Sequence, residues 1–267
     1  MIATSSAPPV WKLIYLARRN PQLPAQAFAQ AWRSHSALGK QCTNVAQRVR
    51  AVAQCARVLE EASAPLLSSA YDGVNLMVLA DYASGTLIWE DPQTLRIMRP
   101  DELRVFADYV RHSALVCREH VLHPPPPAVL APPPMADPRP EPALADHAPA
   151  ITPAPQAPPP QTRPRNGQVM LLGFLQRSPN WQGPAQGPAS LPPAWGVGAL
   201  AQAQRIVGNS VHMPGPSGYG FRWVVEWWFA NRAQALVAAQ ALEAIPVDGD
   251  YGRGDAVFVL TEVTHSR

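Results

Sequence analysis

Alternating apolar and polar positions open the folded part of the chain and pass directly into a helical pattern. Within Val10–Lys40, apolar side chains at every second position predict a strand: Trp11, Leu13 and Tyr15. Pro24 then lies where the first residue of a helix is expected, because its φ is already helical and its missing N–H costs nothing there. Phe28, Trp32 and His35 follow at i, i+4 and i+7, so they share one helical face. That face is expected to pack on the strand and to carry His35 with it.

The pattern continues as one folded unit over residues 10–122. Period-two positions favour a strand in the second half of Asn44–Glu60, and Val74–Ala80 is an apolar strand interrupted only by Asn75. Helix is predicted over about 82–98, broken at Asp91-Pro92, and a short helix over 101–109 with Leu103 and Phe106 facing inward. Leu115–Leu122 closes the unit as a strand.

Residues 123–165 have a different composition. Seventeen of the 32 prolines fall in these 43 residues, which contain no Phe, Tyr or Trp. Such a segment buries too little apolar surface to offset the entropy of ordering it. We predict an extended, semi-rigid, mostly disordered linker, either a plain spacer or a proline-motif ligand for another protein. Residues 1–9 are predicted to be disordered as well.

A second unit is predicted over residues 166–267. Its elements are strands at Gln168–Gln176, Ala203–Val211, Phe221–Ala230 and Ala256–His265, and a helix from the cap Asn231 to Leu242. Both units thus follow a β-α-β-β-α-β plan, which is ferredoxin-like and predicts a duplication. We expect an α+β fold in which the two units form one intrachain barrel, because each sheet must bury the face that its helices leave uncovered.

Composition excludes several classes of function. Lys and Arg number 22 against 19 Asp and Glu, without a basic run, so nucleic acid is not an expected partner. No apolar run is long enough to cross a membrane, and the N-terminus lacks a secretory pattern. Three cysteines in no metal-ligand spacing favour buried free thiols, with a catalytic thiol as the alternative, and hence a cytoplasmic location. Motifs for nucleotides, zinc and serine hydrolysis are absent from the sequence.

The opening segment resembles the ethyl tert-butyl ether degradation (EthD) family of the dimeric α+β barrel superfamily. The similar residues are an Arg-Arg-x-Pro-x-Leu run and a Phe-x-x-x-Trp-x-x-His-x-x-Leu helix: Arg18, Arg19, Pro21, Leu23, Phe28, Trp32, His35 and Leu38. A Tyr-Asp-Gly turn (residues 71–73), an Asp-Glu-x-x-x-Phe segment (residues 101–106) and the Glu-Trp-Trp-Phe strand at residues 226–229 look like later parts of the family pattern.

Each unit keeps only part of that pattern. The first has Leu76 and Met77 where the acidic-aromatic strand is expected, and the second lacks the His-bearing helix. One composite site shared by His35 and Glu226 is therefore expected, rather than two equal sites.

The resemblance implies a barrel that binds a small apolar or aromatic molecule and works without a cofactor. His35 is the candidate acid–base group, since an imidazole titrates near neutrality, and the alternative is a partly buried structural histidine. Tyr15, Trp32, Glu226 and Trp228 are the candidate substrate-binding residues. Each has a structural alternative: core packing for the aromatic rings, and an ion pair with Arg205 or Arg222 for Glu226.

Three functions remain open from the sequence. The first is proton-transfer chemistry of the isomerase, cyclase, lyase or oxygenase-like kind, with His35 as acid or base. The second is a non-catalytic accessory or ligand-binding barrel. The third is a scaffold whose proline-rich segment recruits partners. Dimerisation of the intrachain pseudo-dimer is left open.

Overall fold

Eight antiparallel strands close into a barrel in the computed structural model, with helices packed on its outside. The structure describes residues 8–59, 64–123, 163–176, 198–215, 220–243 and 256–267. The strands are β1 Trp11–Ala17, β2 Val49–Arg57, β3 Gly73–Leu79, β4 Leu115–His123, β5 Val169–Gln176, β6 Arg205–Pro214, β7 Phe221–Phe229 and β8 Val257–Ser266. The helices are α1 Ala25–Leu38, α2 Thr43–Arg48, α3 Ser84–Glu90, α4 Pro92–Ile97, α5 Arg99–Val105 and α6 Arg232–Glu243.

Both halves of the barrel have the same strand order. Around the barrel the strands run β1-β3-β2-β8-β5-β7-β6-β4, so each half places its first strand between its third and fourth, with its second strand outermost. The halves meet along two antiparallel seams, β4 with β6 and β2 with β8. Each of the eight described strands has two hydrogen-bonded neighbours, so closure leaves none of them as a free edge.

Strand alternation divides the apolar residues into an inner and an outer layer. Ile14, Leu172 and Trp228 belong to the core inside the barrel. On the outside, Leu13 packs with the aromatic face of α1, while Trp227 packs under α6. The α+β class and the barrel expected from the sequence are therefore present.

The predicted elements agree with the structure in most places. α1 begins at Ala25, so Pro24 is its N-cap residue and lies one position before the first helical residue. The break at Asp91-Pro92 separates α3 from α4. The Asn231 side chain caps α6 by accepting a hydrogen bond from the Gln234 N–H at 3.0 Å. Cys42, Cys55 and Cys117 are buried free thiols, as predicted.

The predicted inward orientation of Leu103 was wrong. Phe106 is buried, but Leu103 is 44% exposed, because the helix at this point is α5, Arg99–Val105, and Leu103 lies on its solvent side. Glu102 and Val105 are the residues that α5 buries.

The predicted linker lies almost wholly outside the described residues, as do most of residues 1–9. At its ends, β4 runs to His123, and the Pro164 carbonyl accepts a hydrogen bond from the Ser266 hydroxyl at 2.8 Å. In the part of the chain that the structure describes, we find no helix both long and apolar enough to span a membrane.

Candidate functional site

A small pocket lies between the outer face of the first-half strands and the helices that cover them. Its volume is about 40 Å³. The lining residues come from β1–β3 and from the helical layer: Tyr15, Trp32, His35, Ser36, Gln54, Asn75, Met77, Trp89, Thr94, Met98, Glu102 and Val110. Since one water needs roughly 10–15 Å³ of such space, the pocket has room for about three waters or the polar end of a ligand.

His35 reaches this pocket from the buried face of α1 and is held there by α5. Its Nδ1 lies 2.9 Å from Oδ2 of Asp101, and the Arg104 guanidinium binds the same carboxylate at 2.6 and 3.1 Å. Partial burial acts to raise the pKa of Asp101, but hydrogen bonds from Arg104 and His35 keep that pKa below its usual value. Asp101 is therefore an ionised acceptor at neutral pH.

The ionised Asp101 determines which nitrogen of His35 carries the proton. A carboxylate can only accept, so Nδ1 must be the N–H and Nε2 becomes the basic nitrogen. Burial lowers the pKa of His35, although Asp101 opposes this shift. A neutral imidazole with a bare Nε2 is the form that can take a proton from a ligand.

A row of polar side chains crosses the sheet beneath α1. Tyr15, Asn75 and Gln54 are direct cross-strand neighbours on β1, β3 and β2. Asn75 and Gln54 are each 1% exposed. Neither amide atom of Asn75 nor Oε1 of Gln54 has a hydrogen-bond partner among the described residues, whereas Nε2 of Gln54 donates to the Trp32 carbonyl at 3.2 Å.

Glu102 supplies a second acid–base group to the same pocket. Its residue is only 6% exposed. Burial raises the pKa of the Glu102 carboxyl to about 7, with Arg99 and Arg111 acting in the opposite direction. The carboxyl therefore changes its protonation state near neutral pH, close to where His35 offers a base.

Aromatic rings complete the wall around His35. Phe106 meets the imidazole edge-on with ring centroids 5.5 Å apart, and Tyr15 lies 6.3 Å from Trp32. Burial raises the pKa of Tyr15, so its phenol stays protonated at physiological pH. The three first-half candidates, Tyr15, Trp32 and His35, are thus brought together.

Glu226 and Trp228 lie elsewhere, inside the barrel. Glu226 accepts hydrogen bonds from Lys12 Nζ at 2.7 Å, Asn209 Nδ2 at 2.9 Å and Trp228 Nε1 at 3.0 Å. Lys12 also binds Glu119 at 2.6 Å. This inner ion network consists of Lys12, Glu119, Arg205 and Glu226, and Arg205 lies 3.5 Å from the Glu119 carboxylate.

The expected composite site is therefore not formed. The barrel wall separates the two residues: His35 is on α1, which packs against the outside of the barrel, whereas Glu226 faces the inside from β7. The ion pair that the sequence predicted for Glu226 with Arg205 or Arg222 is made with Lys12 instead.

Several polar residues in or beside the pocket were not predicted as site residues, among them Asn75, Gln54, Asp101 and Glu102. Asn75 left a signal, since it is the one polar side chain in an otherwise apolar strand. Asp101 and Glu102 were noticed only as part of a family-like segment. Gln54 sits in a strand of small residues and left no comparable signal. Among the described residues, no group of three or more His, Cys, Asp or Glu side chains could hold a metal ion.

Comparison with known proteins finds structural similarity at low sequence identity. The sequence matches no protein-family model and no curated protein. An anthrone oxidase-like protein is similar over 98% of this chain and 94% of its own, at 11% identity and a TM-score of 0.47. A mutant chlorite dismutase from Candidatus Nitrospira defluvii is similar over 96% and 92%, at 8% identity and a TM-score of 0.44. With TM-scores below 0.5, the fold assignment rests on the strands and their pairing described above.

Proposed function

We propose that this protein is a barrel protein that binds a small molecule in the pocket beneath α1 and transfers a proton with His35. The observation that carries the proposal is the contact between His35, which lines the pocket, and Asp101, whose carboxylate lies 2.9 Å from the imidazole. An imidazole with one nitrogen committed to a carboxylate keeps its other nitrogen basic and fixed in direction. The arrangement suits an acid–base catalyst better than a purely structural histidine.

Proton transfer would use the two titratable groups of the pocket. Nε2 of His35 accepts a proton from an acidic C–H or O–H of the ligand, and Asp101 stabilises the imidazolium that forms. Protonated Glu102 gives a proton to the ligand oxygen, which forms a conjugated enol. His35 then returns its proton to a different carbon of that enol while Glu102 takes its proton back from the oxygen, so a double bond has moved and both residues are restored. A positioned acid or base contributes roughly 10²–10⁴-fold to such a step. This sequence of transfers is an isomerisation and consumes no cofactor.

Exchange of α-protons in a small ketone tests the proposal without knowledge of the natural substrate. Acetone in D₂O loses its α-protons when a base removes them, and ¹H NMR follows the loss. We expect α-proton exchange to be faster with the protein than in buffer alone. His35→Gln should reduce this additional rate about 10²-fold, and Asp101→Asn should reduce it less. His120→Gln, a histidine outside the pocket lining, is the matched control and keeps the wild-type rate. Full exchange activity in His35→Gln, or wild-type exchange no faster than buffer, would refute the catalytic role.

A non-catalytic, ligand-binding barrel is the second candidate. Two observations favour it: the inside of the barrel is occupied by buried side chains such as Met170, Leu172 and Phe174, and the pocket beneath α1 is small. An apolar or aromatic ligand larger than this volume binds only if the helical layer moves outward. Ligand-induced NMR shifts at His35 without α-proton exchange would favour this second function.

We further propose that the chain is a tandem duplication of an EthD-like unit, forming a pseudo-dimer within one chain. The equal strand order of the two halves supports this origin. Buried free thiols support a cytoplasmic location. The spacer or partner-recruiting role of the proline-rich segment stays a prediction, as does dimerisation of the whole protein.

A further inference from the structure

Burying the side-chain amides of Asn75 and Gln54 costs free energy unless a bound molecule forms hydrogen bonds with them. Each residue is 1% exposed, and three of their four amide atoms have no hydrogen-bond partner among the described residues. A buried polar group without a partner loses its interaction with water and gains nothing in return. Both residues line the pocket beneath α1, so the unpaired atoms are available to whatever occupies it.

The chemistry of the unpaired atoms is specific. Nδ2 of Asn75 is a donor, while Oδ1 of Asn75 and Oε1 of Gln54 are acceptors. The two side chains are cross-strand neighbours, so these groups lie side by side on one face of the sheet. A ligand that satisfies them must present an acceptor and a donor next to each other.

The charged groups in and around the pocket disfavour binding of an anion. The lining contains no Lys or Arg, and its acidic member is Glu102. The nearby Arg104 is engaged by Asp101 in a two-point contact. Arg99 and Arg111 act on Glu102 without lining the pocket. A carboxylate ligand would therefore meet buried acceptors and a carboxyl group instead of a cation.

We propose that the pocket recognises a neutral head group that carries an N–H or O–H donor beside a carbonyl acceptor, a primary amide being the simplest example. The carbonyl accepts from Nδ2 of Asn75, and the donor reaches Oδ1 of Asn75 or Oε1 of Gln54. This inference rests on the proposed function, because it specifies the ligand of the same pocket.

Three small molecules of similar shape distinguish a neutral donor–acceptor ligand from an acceptor-only ligand and from an anion. Acetamide has a donor and an acceptor, acetone has an acceptor only, and acetate is the anion. Each is titrated into the full-length protein at pH 8, and the side-chain NH₂ signals of Asn75 and Gln54 are followed by ¹H–¹⁵N NMR. We expect acetamide to bind about tenfold tighter than acetone, since acetone leaves buried acceptors unpaired. Acetate is expected to bind weakest.

Two variants remove the recognition while keeping side-chain size. Asn75→Leu and Gln54→Met should each reduce the preference for acetamide over acetone by about fivefold or more. Backbone amide spectra report whether each variant folds, and the second variant serves if the first does not. Gln47→Leu, an exposed position on α2, is the matched control and leaves the order of affinities unchanged.

The outcomes distinguish this inference from the proposed function. Equal binding of the three probes, or tighter binding of acetate, with shifts at Asn75 would overturn the neutral head group and leave the pocket as a binding site. If none of the probes shifts the Asn75 or Gln54 signals, both the head-group assignment and ligand binding in this pocket are wrong.

Discussion

Burial moves the two acid–base residues of the pocket toward their neutral forms. The pKa of Glu102 is raised to about 7 by burial, and burial lowers the pKa of His35 despite the neighbouring Asp101. Both shifts follow from the cost of keeping a charge away from water. Near neutral pH the pocket can therefore hold a protonated carboxyl and an unprotonated imidazole together, which is the combination that a two-group proton transfer requires.

The raised pKa of Glu102 makes the stability of the protein depend on pH. In the unfolded chain this carboxyl titrates near 4.5, and in the folded protein near 7. The folded state therefore binds the proton more tightly, and stability contributed by the neutral carboxyl is lost as pH rises from about 4.5 through 7. Between pH 5 and pH 8, we expect the free energy of unfolding of the wild type to fall by up to about 3 kcal/mol relative to that of Glu102→Gln.

Urea denaturation of both proteins at pH 5, 6, 7 and 8 measures this difference. The comparison cancels the opposite contribution of His35 and of the other histidines, because both proteins contain them. Parallel stability profiles of the two proteins would show that Glu102 titrates normally.

At the scale of elements, the close approach of α1 to the sheet depends on one glycine. A Cβ at Gly73 in β3 would lie 2.7 Å from the Cys55 carbonyl oxygen in β2 and 2.7 Å from Cζ3 of Trp32 in α1. Neither neighbour can move away freely, since one is backbone of an adjacent strand and the other is a ring packed in the core. The glycine thus sets the distance at which α1 brings His35 to the sheet.

Gly73→Ala is expected to lower the free energy of unfolding by roughly 1–3 kcal/mol, the usual cost of overpacking a core. Gly220→Ala is the matched control, because the nearest atom to its Cβ is a Gln176 side-chain oxygen at 3.4 Å, which can shift. Thermal and urea denaturation compare the two variants. A Gly73→Ala protein as stable as Gly220→Ala would mean that α1 adjusts without cost.

At the scale of the whole molecule, the inner ion network links the two halves of the barrel. Lys12 and Glu119 come from β1 and β4 of the first half, while Arg205 and Glu226 come from β6 and β7 of the second. Two positive and two negative charges are thus buried together. Removing one member leaves an uncompensated charge inside the barrel, which is far more costly than removing a pair.

Lys12→Met should therefore lower the free energy of unfolding by about 3–5 kcal/mol. The double variant Lys12→Met/Glu226→Gln should be more stable than Lys12→Met alone, since it removes the unpaired charge while the one oxygen of Gln still accepts from either Asn209 or Trp228. Chemical denaturation of wild type, both single variants and the double variant gives the coupling energy. Additive losses would show that Lys12 and Glu226 do not stabilise one another.

The sequence by itself determined most of the elements and the α+β class, because the period of apolar positions, the proline before α1 and the Asn231 cap act over a few residues. Even the separation of Glu226 from Trp227 onto opposite faces of β7 follows from alternation. Only the tertiary structure decided which face of each strand lies inside the barrel. That choice depends on closure through the β4–β6 and β2–β8 seams, between residues far apart in the chain. It placed Glu226 with Lys12 inside and His35 with Asp101, Glu102 and Asn75 outside, and so replaced the expected composite site by a pocket built within the first half.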